Sequence, residues 1–440
     1  MDDTLRRRKN IVQESSSSHH TQKRTKGEGG SLLVYLVAGL GILSLYIFVF
    51  PKHTINRQIL RHVETNLNSY ELMEKKHAVI IDAGSTGSRV LAFSFYKSAV
   101  TGELVLHDEL WHEVKPGLSS FADSPDKGGE TILQLIQIAK GRIPESHWAE
   151  TPISLKATAG LRLLPAEKAK TLLNTVKSTL LNSGFKIVSG DPGVEIMSDL
   201  EEGIFGWVTV NFLLDKLGEP GDSAVALDLG GGSTQISFLP VHVSTLQETP
   251  EQFLHIKDIS GVETSIYTHS YLGLGLMAAR KAILQAARTQ NGEYVNPCFK
   301  KAESWSFHGE EFSILPHNGA DFNTCHQLVS SVLSSKNIHS PSELEARSIV
   351  AFSYFYDRAV DSNLIPSSGG QLTLAQYRQA GERWCTDLEA SFQCIDLTFI
   401  YALLSTYGIK DSTPIGIYKK INGHETSWAL GAALDLLSRQ

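Results

Sequence analysis

Two stretches of the chain place an aspartate directly ahead of a loop rich in glycine, serine and threonine: Asp82-Ala83-Gly84-Ser85-Thr86-Gly87-Ser88-Arg89 and Asp228-Leu229-Gly230-Gly231-Gly232-Ser233-Thr234-Gln235. Each follows a short apolar run. Glycines let backbone N–H groups come close to an anion, and hydroxyl side chains add donors, which is phosphate-binding chemistry. An aspartate at the end of a strand holds a divalent cation directly or through water, and such a cation neutralises a polyphosphate. A tight hairpin uses the same residues for turn geometry alone, so one copy is weak. Two copies, 146 positions apart, suit a duplicated fold in which two related domains face one cleft. No G-x-x-x-x-G-K-[ST] sequence is present, which disfavours a P-loop enzyme. Gly273-Leu274-Gly275 lacks the third glycine of a dinucleotide fingerprint and reads as packing at a helix start.

Between the loops lies Ser198-Asp199-Leu200-Glu201-Glu202-Gly203, leading into an apolar segment. Ser198 with Glu201 three residues on fits a capping box, which gives Glu201 a local task. Glu202 has none, apart from the general preference of a helix N-terminus for acids. Phe205, Val208 and Phe212 supply a helical apolar stripe, and the neighbouring glycines let another segment or a substrate approach the first turn. A carboxylate placed there can take a proton from water. The small residues Ala157, Thr158, Ala159 and Gly160 follow the strand-like Ile153-Ser154-Leu155 and leave space for a ligand.

The elements that must position these residues alternate strand and helix from about Ala78, which predicts an α/β architecture. Helices are expected over 131–139, 165–181, 274–287 and 427–437. With 440 residues, 20% charged and 42% hydrophobic, the chain can build two or three domains with substantial cores. Its formal charge of −7 argues against a nucleic-acid binder. Residues 31–50 carry no charge and match the roughly twenty apolar residues of a membrane-crossing helix. The basic tail at 1–30 keeps the N-terminus cytoplasmic by the positive-inside rule, so the remainder is expected in a lumen or outside the cell. Beyond that tail stand 33 basic and 43 acidic side chains, a balance of −10. Four cysteines late in the chain suit two disulfides in an oxidising compartment.

Taken in order, residues 82–89, 157–164, 198–213, 226–237 and 428–431 resemble the five apyrase-conserved regions of the nucleoside triphosphate diphosphohydrolase family. The resemblance implies two RNase-H-like domains of the actin and hexokinase type around a nucleotide cleft, here 77–200 and 201–420. They would be preceded by the tail (1–30), a transmembrane signal-anchor (31–50) and a linker (51–76), and closed by a C-terminal segment, 421–440, that returns to the first domain. It implies direct attack of water on a terminal phosphate with Ca²⁺ or Mg²⁺. Glu202 would be the general base, Asp82 and Asp228 would hold the metal through waters, and Ser233 with Gln235 would position the attacking water. Thr158 would lie at the reacting phosphate, the backbone around Ser85, Thr86, Gly87, Gly230, Gly231 and Gly232 would cradle the phosphates, and Trp428 would support the site.

The absence of a second apolar span near the C-terminus and the four cysteines are similar to the secretory-pathway branch of that family. That branch favours the nucleoside diphosphates GDP, UDP and IDP over triphosphates, and acts in the Golgi or endoplasmic reticulum or is released by cleavage near the anchor. Of three possible pairings, Cys298 with Cys325 and Cys385 with Cys394 are expected, taken as sequential because each closes a short loop. Two rivals share the fold: a metabolite kinase, which needs an acceptor hydroxyl, and a nucleotide-dependent binding module, which needs an exposed apolar client surface. A lumenal location weighs against both.

Overall fold

The computed structural model describes residues 74–440 apart from 85, 99–101, 190, 192, 218–220, 260–261 and 308, together with residues 41 and 46. The basic tail, nearly all of the expected membrane segment, most of the linker and Ser85 lie outside the described residues. Among those described, no helix is long and apolar enough to cross a membrane. The chain divides into a unit of residues 1–73 with 98–103 and a unit of 74–97 with 104–440, and the second carries every element below.

The first apolar run forms β1 (Glu74–Ala83), so the first strand begins inside the expected linker. With β2 (Ser88–Lys97) and β3 (Leu104–Val114) it makes an antiparallel meander; β4 (Ile153–Ala157) and β5 (Val194–Ile196) then add in parallel, in the order β3-β2-β1-β4-β5. The second half repeats the scheme. β6 (Val225–Leu229) and β7 (Ser233–Phe238) pair antiparallel, β9 (Val262–Leu272) follows on β7, and β13 (Ile349–Ser353) and β15 (Pro414–Ile417) add in parallel on the other side. Edge strands β8 (Leu254–Ile259) and β14 (Gly370–Thr373) complete a seven-stranded sheet. β10 (Tyr294–Asn296), β11 (Glu303–Phe307) and β12 (Glu310–Pro316) form a small sheet, and β16 (Lys420–Ile421) with β17 (His424–Glu425) a short hairpin.

The strands are apolar in succession because both sheets are covered on both faces. In β1, Val79 and Ile81 pack on α1 (Pro125–Arg142) and α3 (Ala166–Leu181), which follows the four-residue α2 (Ala159–Arg162). Ala78 and Ile80 point the other way, toward a middle layer. That layer holds α4 (Asp199–Leu213) and α11 (Trp428–Ser438). Ala226 of β6 and Ala224 just before it face the same layer. Val225, Leu227 and Leu229 face the outer core beneath α6 (Leu276–Ala286), α7 (Phe322–Ser334), α9 (Leu374–Thr386) and α10 (Gln393–Thr406). The short α5 (Val243–Glu248) and α8 (Tyr354–Asp361) sit in connections.

Helix α4 departs from the expected single apolar stripe. It is enclosed between sheets, so Ile204, Trp207 and Val210 are as buried as Phe205, whereas Val208 and Phe212 are only half-buried. Asn211 anchors it to β6: its Nδ2 donates to the Ala224 carbonyl at 3.1 Å and its Oδ1 accepts from Ala224 N–H at 2.7 Å. Contact on two sides requires absent side chains. A Cβ at Gly203 would overlap the Thr268 hydroxyl, and one at Gly431 of α11 would overlap the Phe205 carbonyl. The Gly431 N–H donates to Thr209 Oγ1 at 2.8 Å, which fixes the crossing.

The disulfides are Cys298–Cys325 and Cys385–Cys394, as expected. Three of the four sulfurs lie within 4.8 Å of one another, but as oxidised pairs they offer no thiolate to a metal.

Because backbone rather than a mobile side chain blocks Gly431, Gly431→Ala is expected to cost about 1–3 kcal/mol. It should lower the thermal midpoint. Gly141→Ala, in open space on α1, should leave the midpoint unchanged or slightly raised. Equal midpoints for the two variants would show that the α4–α11 contact yields.

Candidate active site

Period-two alternation sends Ala78, Ile80 and Asp82 to one face of β1, and Ala224, Ala226 and Asp228 to one face of β6. Both faces look into the middle layer. The two aspartates therefore end their strands over the same space, at the carboxyl ends of the central strands, where open α/β sheets place ligand crevices. A cleft of about 430 Å³ opens there. It is lined by Asp82, Gly84, Thr86 and Thr158 from the first half, Asp228, Gly230 and Gly231 from the second, and Glu202 and Trp428 from the middle layer.

The two hairpins match in register as well as in sequence: Asp82 lies opposite Arg89, and Asp228 opposite Gln235. Arg89 Nη1 donates to Asp82 Oδ2 at 3.1 Å, and its Nη2 is 2.7 Å from Glu113 Oε1. Gln235 Nε2 donates to Ser233 Oγ at 2.9 Å and to Ser270 Oγ at 2.8 Å. Thr234 Oγ1 donates to the Asp228 carbonyl at 2.7 Å and stiffens the strand end. The second loop rests on the start of α6, whose N–H groups at Leu276 and Met277 donate to the carbonyls of Gly230 and Gly231 at 2.9 and 3.0 Å. Gly275 is pressed so closely on this loop that a Cβ would overlap its backbone. The expected helix-start packing of Gly273-Leu274-Gly275 is thus how the phosphate-type loop is held.

Glu202 sits in the first turn of α4, beside the capping box that Ser198 and Glu201 form at 3.2 Å in each direction. Its side chain is buried and reaches the cleft wall. Arg162, at the end of α2, donates its Nη2 to Glu202 Oε2. Burial pushes the Glu202 carboxyl up to about 7; Arg162 opposes the rise, and the charges of Asp228 and Asp82 add to it. Burial likewise lifts Asp228 to about 6, against a hydrogen bond from Ser353, with Asp82 adding repulsion. Burial also raises Asp82, with Arg89 pulling it back. The three carboxylates are close enough to feel one another and are under-compensated.

The same atoms test the site for a cation. Asp82 Oδ1, Asp228 Oδ1 and Gln235 Oε1 are buried without a hydrogen-bond partner. Hard oxygen donors under mutual repulsion are a fit for a hydrated Ca²⁺ or Mg²⁺.

The expected residues do not all reach the cleft wall. Ser233 and Gln235 are buried behind the second loop, at 2% exposure each, and Gly87 and Gly232 also stand back from the wall. The Gly230 N–H donates to the Ser233 carbonyl at 3.0 Å, which closes the turn and removes that amide from a phosphate cradle. Four residues given no role from sequence now have one: Arg89 and Glu113 at Asp82, Arg162 at Glu202, and Ser353 at Asp228. Ser353 ends β13, as Ala157 ends β4 just before Thr158, and adopts φ 58° at the start of α8, a backbone region a side chain disfavours. The duplicated strand order was the signal that could have singled it out.

Comparison with known proteins agrees with this geometry. The profile of the GDA1/CD39 (nucleoside phosphatase) family matches residues 68–440. Nucleoside diphosphate phosphatase ENTPD5 of Homo sapiens is 42% identical over 377 residues, covering 82% of this chain and 87% of that protein. Ectonucleoside triphosphate diphosphohydrolase 6 of Homo sapiens is 40% identical over 382 residues, covering 83% and 78%. Among solved structures, nucleoside triphosphate hydrolases from Neospora caninum share the fold with a TM-score of 0.60 at 15% identity, over 88% of this chain and 97% of that one. The chain belongs to the GDA1/CD39 (nucleoside phosphatase) family and is an enzyme of that class.

Proposed function

We propose that this enzyme hydrolyses nucleoside diphosphates, GDP, UDP and IDP in preference to triphosphates, to the monophosphate and inorganic phosphate, using Ca²⁺ or Mg²⁺. The observation that carries the reading is the convergence of Asp82, Asp228 and Glu202 on one cleft between duplicated hairpins. The family, and the name of the human relative that acts on nucleoside diphosphates, support the substrate class. Residues 77–200 and 201–420 are read as two actin-like halves, with 421–440 returning to the first; the repeated strand order supports the division. The uncharged segment at 31–50 supports a single-pass anchor with the catalytic part in the lumen of the Golgi or endoplasmic reticulum, or secreted after cleavage.

In this reading Arg162 holds Glu202 by Oε2, and Oε1 takes the proton from the attacking water. A proton affinity near neutrality suits a general base. Ser233 and Gln235, joined by a 2.9 Å hydrogen bond behind the second loop, support that loop instead of touching the water. The Thr158 hydroxyl meets the reacting phosphate, and the N–H groups of Thr86 and Gly231, which line the cleft, cradle the chain. Asp82 and Asp228 would hold the cation, with Arg89 and Ser353 keeping each carboxylate in place. A bound Ca²⁺ or Mg²⁺ supplies the positive charge that neutralises the phosphates and the charge developing on the leaving oxygen. Trp428, 4% exposed, supports the wall.

Phosphate release from GDP or UDP, without any acceptor and only with added Ca²⁺ or Mg²⁺, is the expected result; a need for an acceptor hydroxyl would indicate the kinase instead. Glu202→Gln should keep nucleotide affinity and lose turnover by about 100-fold or more. Undiminished hydrolysis would remove Glu202 as the base. A general base works when deprotonated, so log kcat/KM should rise with pH to a plateau, with an acidic limb near the value of about 7 to which burial lifts Glu202. That limb should vanish in the residual activity of Glu202→Gln, and its persistence there would assign it to another group. Asp82→Asn and Asp228→Asn should each raise the cation concentration needed for half-maximal rate; an unchanged requirement would place the metal elsewhere.

A further inference from the structure

Four cationic side chains line the cleft: Arg89, Lys115, Arg358 and Lys419. Three already face carboxylates. Arg89 is bonded to Asp82 and Glu113, Lys115 stands 3.6 Å from Glu113, and Arg358 is 2.7 Å from Asp361 and 3.3 Å from the buried Asp396. Lys419 makes no ion pair with a carboxylate among the described residues, although Glu425 and Asp357 feel its charge from farther off. Its ammonium lies over the Trp111 indole, 5.4 Å from the ring centroid. An indole face stabilises a cation without consuming its N–H donors, so these stay free for an anion.

The surroundings hold that lysine in place. Glu109, Trp111 and Glu113 alternate along β3 and so share one face. Glu109 Oε1 accepts the Glu425 N–H at 2.7 Å, which fastens the β16–β17 hairpin to β3. The Lys419 carbonyl accepts the Thr426 N–H at 2.8 Å, which closes the same hairpin. The Lys419 charge lowers the proton affinity of Glu425 and Asp357, both on the cleft wall, which sets the ammonium inside the cleft.

We propose that Lys419 binds the phosphate chain of the nucleotide, its ammonium positioned over Trp111 by a hairpin that Glu109 anchors to β3. The proposal rests on the nucleotide reading above and adds to it a residue outside the five motif regions. An unpaired ammonium in a cleft of net negative charge is the side chain whose attraction to an anion is least diminished by neighbours.

The test measures binding without turnover, by calorimetry of the full-length protein with the α,β-methylene analogue of GDP, GMP and guanosine in the presence of Mg²⁺. Lys419→Met should weaken the diphosphate analogue about tenfold, GMP less and guanosine not at all, with a shallower dependence of affinity on ionic strength. Lys419→Arg should restore most of the loss, and Trp111→Leu should produce a smaller loss with the same order across the three ligands. Equal losses for guanosine and the diphosphate analogue, or no loss for either, would overturn the assignment while leaving the nucleotide reading intact. Failure of the unsubstituted protein to bind any of the three would remove that reading and this inference together.

Discussion

Helix α4 occupies the layer between the two sheets, and its position there is dictated by backbone contact. The Phe205 carbonyl meets Gly431 of α11, Gly203 meets the hydroxyl of Thr268 on β9, and Asn211 is bonded to Ala224 at the entry to β6. None of these contacts can slide by the width of a methyl group without a clash or an unsatisfied amide. Glu202 stands one turn from the start of that helix, so its carboxylate has little freedom to leave the cleft. The chemistry of the site depends on this wedge: two sheets supply the aspartates, and the helix held between them supplies the third carboxylate.

That arrangement concentrates negative charge in the cleft. Burial raises the proton affinity of Glu202 and Asp228, and each arginine in reach reverses only part of the rise. The charges of Asp228 and Asp82 add a smaller share to the rise at Glu202, so the three carboxylates are electrostatically linked through the cleft. Arg162 and Arg89 lie against the protein's own carboxylates, whereas Lys419 acts on Glu425 and Asp357 only from beyond ion-pair distance.

Much of the fold was legible in the residues. The uninterrupted apolar runs before Asp82 and Asp228 marked strands covered on both faces, and the repeated aspartate–glycine–hydroxyl loops announced a duplicated scaffold that the strand order bears out. The capping box at Ser198 was visible because helix capping is local. The supposed stripe on α4 was misleading, since a helix between two sheets is buried on most sides and its periodicity no longer tells inside from outside. The amide of Gly230 was likewise expected to face phosphate, yet it closes a turn whose shape depends on α6, 46 residues further on.

What the order of residues determined by itself was local: strand parity, turn chemistry, the cap on α4 and the family that these motifs mark. Alternation with a period of two put both aspartates on the faces of their strands that carry the small alanines, whatever lay above them. Only the tertiary structure decided which partners meet those side chains. Arg162 at Glu202, Ser353 at Asp228, and Trp111 beneath Lys419 are pairs from distant parts of the chain, and no spacing rule connects them. Their proximity follows from the packing of two sheets around one helix, and with it come the raised proton affinities, which depend on burial and neighbouring charge and so have no counterpart in a linear sequence.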